Sequence, residues 1–261
     1  MKQSNLYINA SGGGPTTVFL PGMLGSTLYW QYLTKVLNDQ GRSVVNLDLL
    51  GYGKSPKPRG SQYDVNAHCM AIESALSTVQ LTKPVAIAGI SMSTILASEL
   101  VRRNPGMFDK LVLFSPMIYS SPQVAKKLSY VTGNIPSCIA HGPIAWGICH
   151  TLCKVKPVAK VVYRLFNNQG LSKEVIEDGV YHSWRSYART FKHVIVQQGV
   201  GEYLKTVPID THFIYGKNDV STELDFLKLL QQQNKNIHLH ESGSKHHAAI
   251  HQPALALGVL L

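Results

Sequence analysis

The run Val85-Ala86-Ile87-Ala88-Gly89-Ile90 is apolar at odd and even positions alike. A strand built this way has no polar face for water, so it must lie inside a parallel sheet covered on both sides. Short β-branched or apolar runs recur along the chain and read as strands: Thr16–Leu20, Ser43–Leu49, Lys110–Ser115, Thr211–Gly216 and Asn236–Glu241. Segments of helical spacing separate them. Thr27–Gln40 stops at Gly41, Asp64–Leu81 is capped by Asp64, and Met92–Arg103 ends before Asn104-Pro105. Ser221–Asn234 and a short segment from about Ala248 to the end complete the set. Strands alternating with helices predict an α/β fold with a mostly parallel central sheet flanked by helices.

From Met117 to Lys205 the alternation fails: prolines are frequent and no strand is evident. This stretch sits between two strands of the sheet, so it is read as a helical cap inserted over the carboxyl ends of the strands, where such folds place ligands. The expected division is a core of residues 1–116 and 206–261 with a cap (lid) of 117–205.

Composition narrows the class. The 261 residues are 44% hydrophobic and 15% charged, which excludes a disordered chain. Apolar runs are interrupted well before the ~18 residues of a membrane span. The first fourteen residues lack a basic start and apolar core, and four irregularly spaced cysteines form no disulfide framework. A soluble, cytoplasmic protein is expected. The net charge is +10, and +7 of it falls within 117–205, with eleven Lys or Arg against four acids.

Gly89-Ile90-Ser91-Met92-Ser93 stands between an apolar strand and a helix. A sharp turn there lifts one side chain above the sheet, needs small flanking residues, and leaves the Met92 N–H at a helix N-terminus, ready to bind an anion. A serine hydroxyl needs a base, and the base an orienting acid. Asp219 follows one later strand by three residues, where it could equally cap the next helix. His246 and His247 follow the last strand.

On these segments the chain resembles the α/β-hydrolase superfamily. The matching features are Leu20-Pro21-Gly22-Met23-Leu24-Gly25-Ser26, Asp48-Leu49-Leu50-Gly51-Tyr52-Gly53-Lys54-Ser55, the turn at Ser91, Asp219 after Tyr215-Gly216, and His246 seven residues before Pro253. Together they cover roughly 15–105 and 207–255. The resemblance implies a catalytic triad of Ser91, Asp219 and His246, favouring His246 over His247, and an oxyanion hole formed by the backbone N–H groups of Met23 and Met92. It implies a serine hydrolase of carboxylic esters or thioesters that needs no metal or organic cofactor. Three departures are plain: Ser93 where the pattern has Gly, Pro21-Gly22 where the family usually has His-Gly, and Lys245 where a Gly often precedes the histidine. Acyl transfer, iminopeptidase, haloperoxidase and C–C hydrolase chemistries use the same triad and stay open, as does a non-catalytic ligand-binding member of the fold.

The cap is both basic and apolar, which suits a small acyl substrate with a negative group, or contact with an anionic membrane surface; a solvated basic face explains the same charges. Cys138, His141, Cys149, His150 and Cys153 lack paired zinc-ligand spacing and read as small apolar cap residues. A pI near 9.4 without a recognition motif gives no nucleic-acid partner.

Overall fold

The computed structural model describes residues 5–129, 146–147, 150–151, 155–165 and 170–261. Seven strands form one sheet: β1 Ile8–Ser11, β2 Thr16–Leu20, β3 Ser43–Leu47, β4 Ala86–Ile90, β5 Lys110–Phe114, β6 Asp210–Gly216 and β7 Ile237–Ser242. Their order is β1-β3-β2-β4-β5-β6-β7. All neighbours are parallel except β1, which runs antiparallel to β3 with Ile8 opposite Leu47. The sequence reading did not anticipate β1. Its Ile-Asn-Ala-Ser is short, polar at two positions and only partly buried, as an edge strand can be.

The central strands β2 and β4 are buried at every residue, as their two-sided apolar pattern requires. Alternate residues feed two cores. On one face Val18, Leu20, Ile87, Leu111 and Leu113 pack under helices α2 (Val65–Leu76) and α3 (Ser93–Arg103). On the other face Phe19, Ala88, Ile90, Val112 and Phe114 meet Trp30, Leu33 and Leu37, with α1 (Gln31–Asp39) supplying the leucines. Trp30 stacks on Phe19 with ring centres 4.4 Å apart, so its truncation to alanine would cost about 3–5 kcal/mol.

The helix expected over 27–40 divides into a 3-10 turn at Thr27–Trp30 and then α1. The two carboxylate oxygens of Asp48 accept from the Thr27 and Lys54 amides, each at 2.7 Å, and fasten that turn to the loop after β3. Asp64 caps α2 as expected, accepting from the Ala67 amide at 2.7 Å. The segment expected to be helical from Ser221 begins instead at Leu224.

Among the described residues, 117–205 contains helices and no strand. Tyr119, Ala125, Phe191, Val194, Val200 and Leu204 belong to the same buried cluster as β2, β4 and β5, so both ends of the insertion are packed into the main core. The helix Lys173–Asp178 lies against the 3-10 turn. A Cβ at Gly179 would come within 3.1 Å of the Leu24 carbonyl, and one at Gly170 within 3.2 Å of the His251 ring. The segment 170–179 therefore lies beside both the loop after β2 and the chain after β7. Cys138, His141, Cys149 and Cys153 lie outside the described residues. Among the described residues no group of His, Cys, Asp and Glu could hold a metal, and no helix is long and apolar enough to cross a membrane.

His68 of α2 is fully buried and shares a 3.1 Å hydrogen bond with Thr190. Burial, only partly offset by Asp64, pushes its pKa down to about 4 from 6.5. The unfolded chain therefore binds this proton more readily than the folded one. The stabilisation is fully present above pH 6.5 and is lost as pH falls towards 4, by about 3 kcal/mol. The melting temperature should drop from pH 7 to pH 4.5, and His68→Gln, which keeps a donor for Thr190, should flatten that slope. An unchanged slope in the variant would exclude His68 as a source.

Candidate active site

The site is built at the carboxyl ends of β2, β4, β5, β6 and β7. Ser91 follows β4 and has φ 56°, a left-handed backbone that a serine adopts only when its surroundings impose it. Gly89 shows how the turn is imposed: a Cβ there would lie 2.5 Å from the Ser93 carbonyl oxygen, inside the first turn of α3. Strand and helix can close this tightly only because residue 89 has no side chain. The Ser91 amide donates to the Phe114 carbonyl of β5 at 2.9 Å, and Thr94 Oγ1 donates to the Ser91 carbonyl at 2.6 Å. The backbone of the turn is thus pinned from both sides.

Asp219 and His246 meet directly. His246 Nδ1 is 2.9 Å from Asp219 Oδ2, and the carboxylate is almost wholly buried. Asp219 Oδ1 is occupied as well, accepting from the Ser221 hydroxyl at 2.6 Å and the Ser221 amide at 3.0 Å. Burial opposes the charge on Asp219, but the hydrogen bond and charge of His246, together with the Ser221 donors, outweigh it and hold the pKa at about 2. The aspartate does not cap the following helix, whose first turn lies five residues on.

The approach of the two loops again depends on a missing side chain. A Cβ on Gly216 would lie 1.9 Å from the Lys245 carbonyl, so only glycine lets the end of β6 touch the histidine loop. Ser115, with φ 44°, donates its hydroxyl to the His246 carbonyl, while its amide bonds to Ile214 at 2.8 Å. One residue earlier, Phe114 receives the Ser91 amide. A short chain of bonds across β4, β5 and β6 therefore holds the serine turn and the histidine loop as neighbours.

Ser91 and His246 are not hydrogen-bonded among the described residues: Ser91 Oγ donates to Met117 Sδ at 3.2 Å. Hydrogen bonds between a catalytic serine and its base are commonly long or poorly aligned without substrate. His247 points elsewhere. Its Nδ1 is 3.2 Å from the Tyr29 hydroxyl, and burial, then the charges of His246 and His251, push its pKa down to about 3. The amides of Met23 and Met92 donate to no described residue. Met92 caps α3, so its N–H carries the partial positive charge of a helix start.

Ser115, Tyr119 and Ser221 were not found from the sequence. The Ser221 contact has a legible signal, an Asp two residues before a Ser, as in turns where a carboxylate accepts from the backbone two residues on. Tyr119, whose hydroxyl donates to the Ser221 carbonyl at 3.0 Å, has none, because that contact spans 102 positions of chain.

A parallel sheet bearing a serine on a strained strand-to-helix turn, with a carboxylate–imidazole pair at later strand ends, is the arrangement of a hydrolase. The chain belongs to the family described as serine aminopeptidase, S33, whose model matches residues 15–241; His246 lies just beyond the matched stretch. The chain is 28% identical over 199 residues to "Probable lysophospholipase BODYGUARD 1" of Arabidopsis thaliana, covering 70% of this chain and 42% of that protein. It thus spans less than half the length of that relative. It is 25% identical over 257 residues to "AB hydrolase superfamily protein YisY" of Bacillus subtilis, covering 95% and 90%. Among solved structures, an esterase from Exiguobacterium antarcticum superposes with a TM-score of 0.72 at 19% identity over 98% of this chain and 93% of its own. The thioesterase domain of a curacin biosynthetic pathway gives 0.68 at 21% over 98% and 96%. These likenesses establish the fold as α/β-hydrolase.

Gly216→Ala should force the histidine loop away from Asp219. A displacement near 1 Å at a reacting group costs on the order of 100-fold in rate. Reaction of Ser91 with a fluorophosphonate should slow by about that factor while the protein stays folded by circular dichroism; labelling at the wild-type rate would show that the close approach is dispensable.

Proposed function

We propose that the protein is a serine hydrolase that cleaves a carboxylic ester or thioester through an acyl-enzyme at Ser91. His246 takes the serine proton and later returns it to the leaving group, and Asp219 holds the imidazole with Nδ1–H towards itself and Nε2 towards the serine. The Met23 and Met92 amides receive the oxyanion, each worth about 3–4 kcal/mol in a comparable site. Water activated by His246 then frees the acid. The reading is carried by the 2.9 Å pair of His246 with a buried Asp219 at the strand ends that also present the Ser91 turn.

The substrate reading rests on the cap. Residues 117–205 are proposed as a lid whose packed ends anchor it. Lys160, Arg164 and Lys173 converge on the single carboxylate of Glu177 at 3.6, 2.8 and 4.0 Å, leaving the cluster net positive. An acyl substrate with a negative group fits this field. The description of the family as aminopeptidase raises peptide cleavage as a second reading, but a peptide's α-ammonium would be repelled by the same cations. The relatives named as lysophospholipase, esterase and thioesterase point the same way. Contact of the basic cap with an anionic membrane surface belongs to this proposal as the route by which an acyl lipid would be delivered.

The first test is a fluorophosphonate probe with intact-mass readout. A single adduct on the wild type, lost in Ser91→Ala and His246→Ala, is expected, followed by turnover of monoacyl phospholipids or acyl thioesters above that of aminoacyl amides. A folded wild type that takes no adduct would overturn the reading.

The pH profile gives an independent check. Asp219 stays ionised down to about pH 2, and His247 stays neutral down to about 3. An acid limb in kcat/KM above pH 4 would therefore come from neither of these two groups. Activity that stays flat from pH 8 to pH 4 would remove His246 as the base.

A further inference from the structure

Ser93 is fully buried at the first turn of α3, and its hydroxyl donates to the carbonyl oxygen of Pro21. The bond joins two elements that approach from different directions. Pro21 follows β2, whose last residue Leu20 pairs with Gly89 of β4, two residues before the serine turn. Beyond Pro21 the chain turns sharply: the Gly25 amide donates to the Gly22 carbonyl at 2.9 Å, and Leu24 has φ 65°. The Met23 amide sits within this turn. The turn also runs against the nucleophile, since a Cβ on Gly22 would lie 3.4 Å from Ser91 Cβ.

The two amides that face the reaction are held unequally. Met92 belongs to the Ser91 turn and is fixed by the strand, the helix and Thr94. Met23 belongs to a loop, and the loop's entry point, the Pro21 carbonyl, is buried. A buried carbonyl requires a donor. Glycine or alanine at residue 93 offers none.

We propose that Ser93 is a positioning residue for the oxyanion hole: its hydroxyl clamps the Pro21–Gly25 turn to the start of α3 and so sets the separation of the Met23 and Met92 amides. This rests on the assignment of those amides as oxyanion donors. The serine is not a space-filling substitute for glycine at this position. It supplies the tie that aligns a loop-borne donor with a helix-borne one, and donors contribute to rate only when that alignment exists before the charge develops.

The test uses Ser93→Gly, Ser93→Ala and Ser93→Thr in the full chain, with p-nitrophenyl butyrate as substrate and a trifluoromethyl ketone as the probe that forms an oxyanion on Ser91. Glycine and alanine should lower kcat by about 10- to 100-fold with KM changed less than about twofold. They should weaken ketone binding by a similar factor, while threonine, which keeps the hydroxyl, should recover much of both. Amide hydrogen exchange across residues 22–25 should quicken in the glycine and alanine variants, a readout that needs no substrate. Wild-type kcat and ketone affinity in Ser93→Gly would overturn the proposal, as would a loss expressed in KM alone. A wild type inert to the fluorophosphonate would instead overturn the hydrolase reading, and the clamp with it.

Discussion

The closeness of Gly89 to the Ser93 carbonyl governs the rest of the molecule's chemistry. At 2.5 Å there is no room for a Cβ, and that lack of room lets a buried strand turn into a helix within three residues. The same turn sets Ser91 at positive φ and places Ser93 where its hydroxyl reaches Pro21. The strain at Ser91 is sustained by two fully apolar faces beneath it. A strand buried on both sides cannot relax sideways, so the cost is carried by the packing of β4 between β2 and β5.

A second tight approach, of Gly216 to the Lys245 carbonyl, does for the aspartate–histidine pair what Gly89 does for the serine. The two are coupled through β5, because Phe114 holds the Ser91 amide and Ser115 holds the His246 carbonyl. Consecutive residues of one central strand end thus set the spacing between the serine turn and the histidine loop. This explains why Ser115 tolerates φ 44° in a fully buried position: its hydroxyl and amide each have a fixed partner that a relaxed backbone would lose.

The sequence pattern reveals strands buried on both faces most clearly, and β2, β4 and β5 lie where their apolar runs end. It reveals β1 poorly, since four half-exposed residues with an Asn and a Ser carry little alternation. Ser91, Asp219 and His246 were legible because each follows a recognisable strand end, and the last two are found bonded to each other. The residues that fix them were less so. Ser115 looks like the last residue of a strand, and Tyr119 acts across a long separation in sequence. The insertion of 117–205 stands out in the sequence only as a loss of the strand–helix alternation.

The insertion leaves the sheet at the site end of β5 and must return to the opposite end of β6, because the two strands are parallel. Phe191, Val194, Val200 and Leu204 accomplish that return inside the main core. They lie on two successive helical segments, Phe191–Val196 and Val200–Leu204, which play the part of an ordinary crossover helix. Such an arrangement separates two kinds of hereditary change. Residues between the packed ends can be lengthened, shortened or recoloured in charge without disturbing the strand spacing that aligns Asp219, His246 and Ser91. Changes in the two returning segments, by contrast, would reach the scaffold itself.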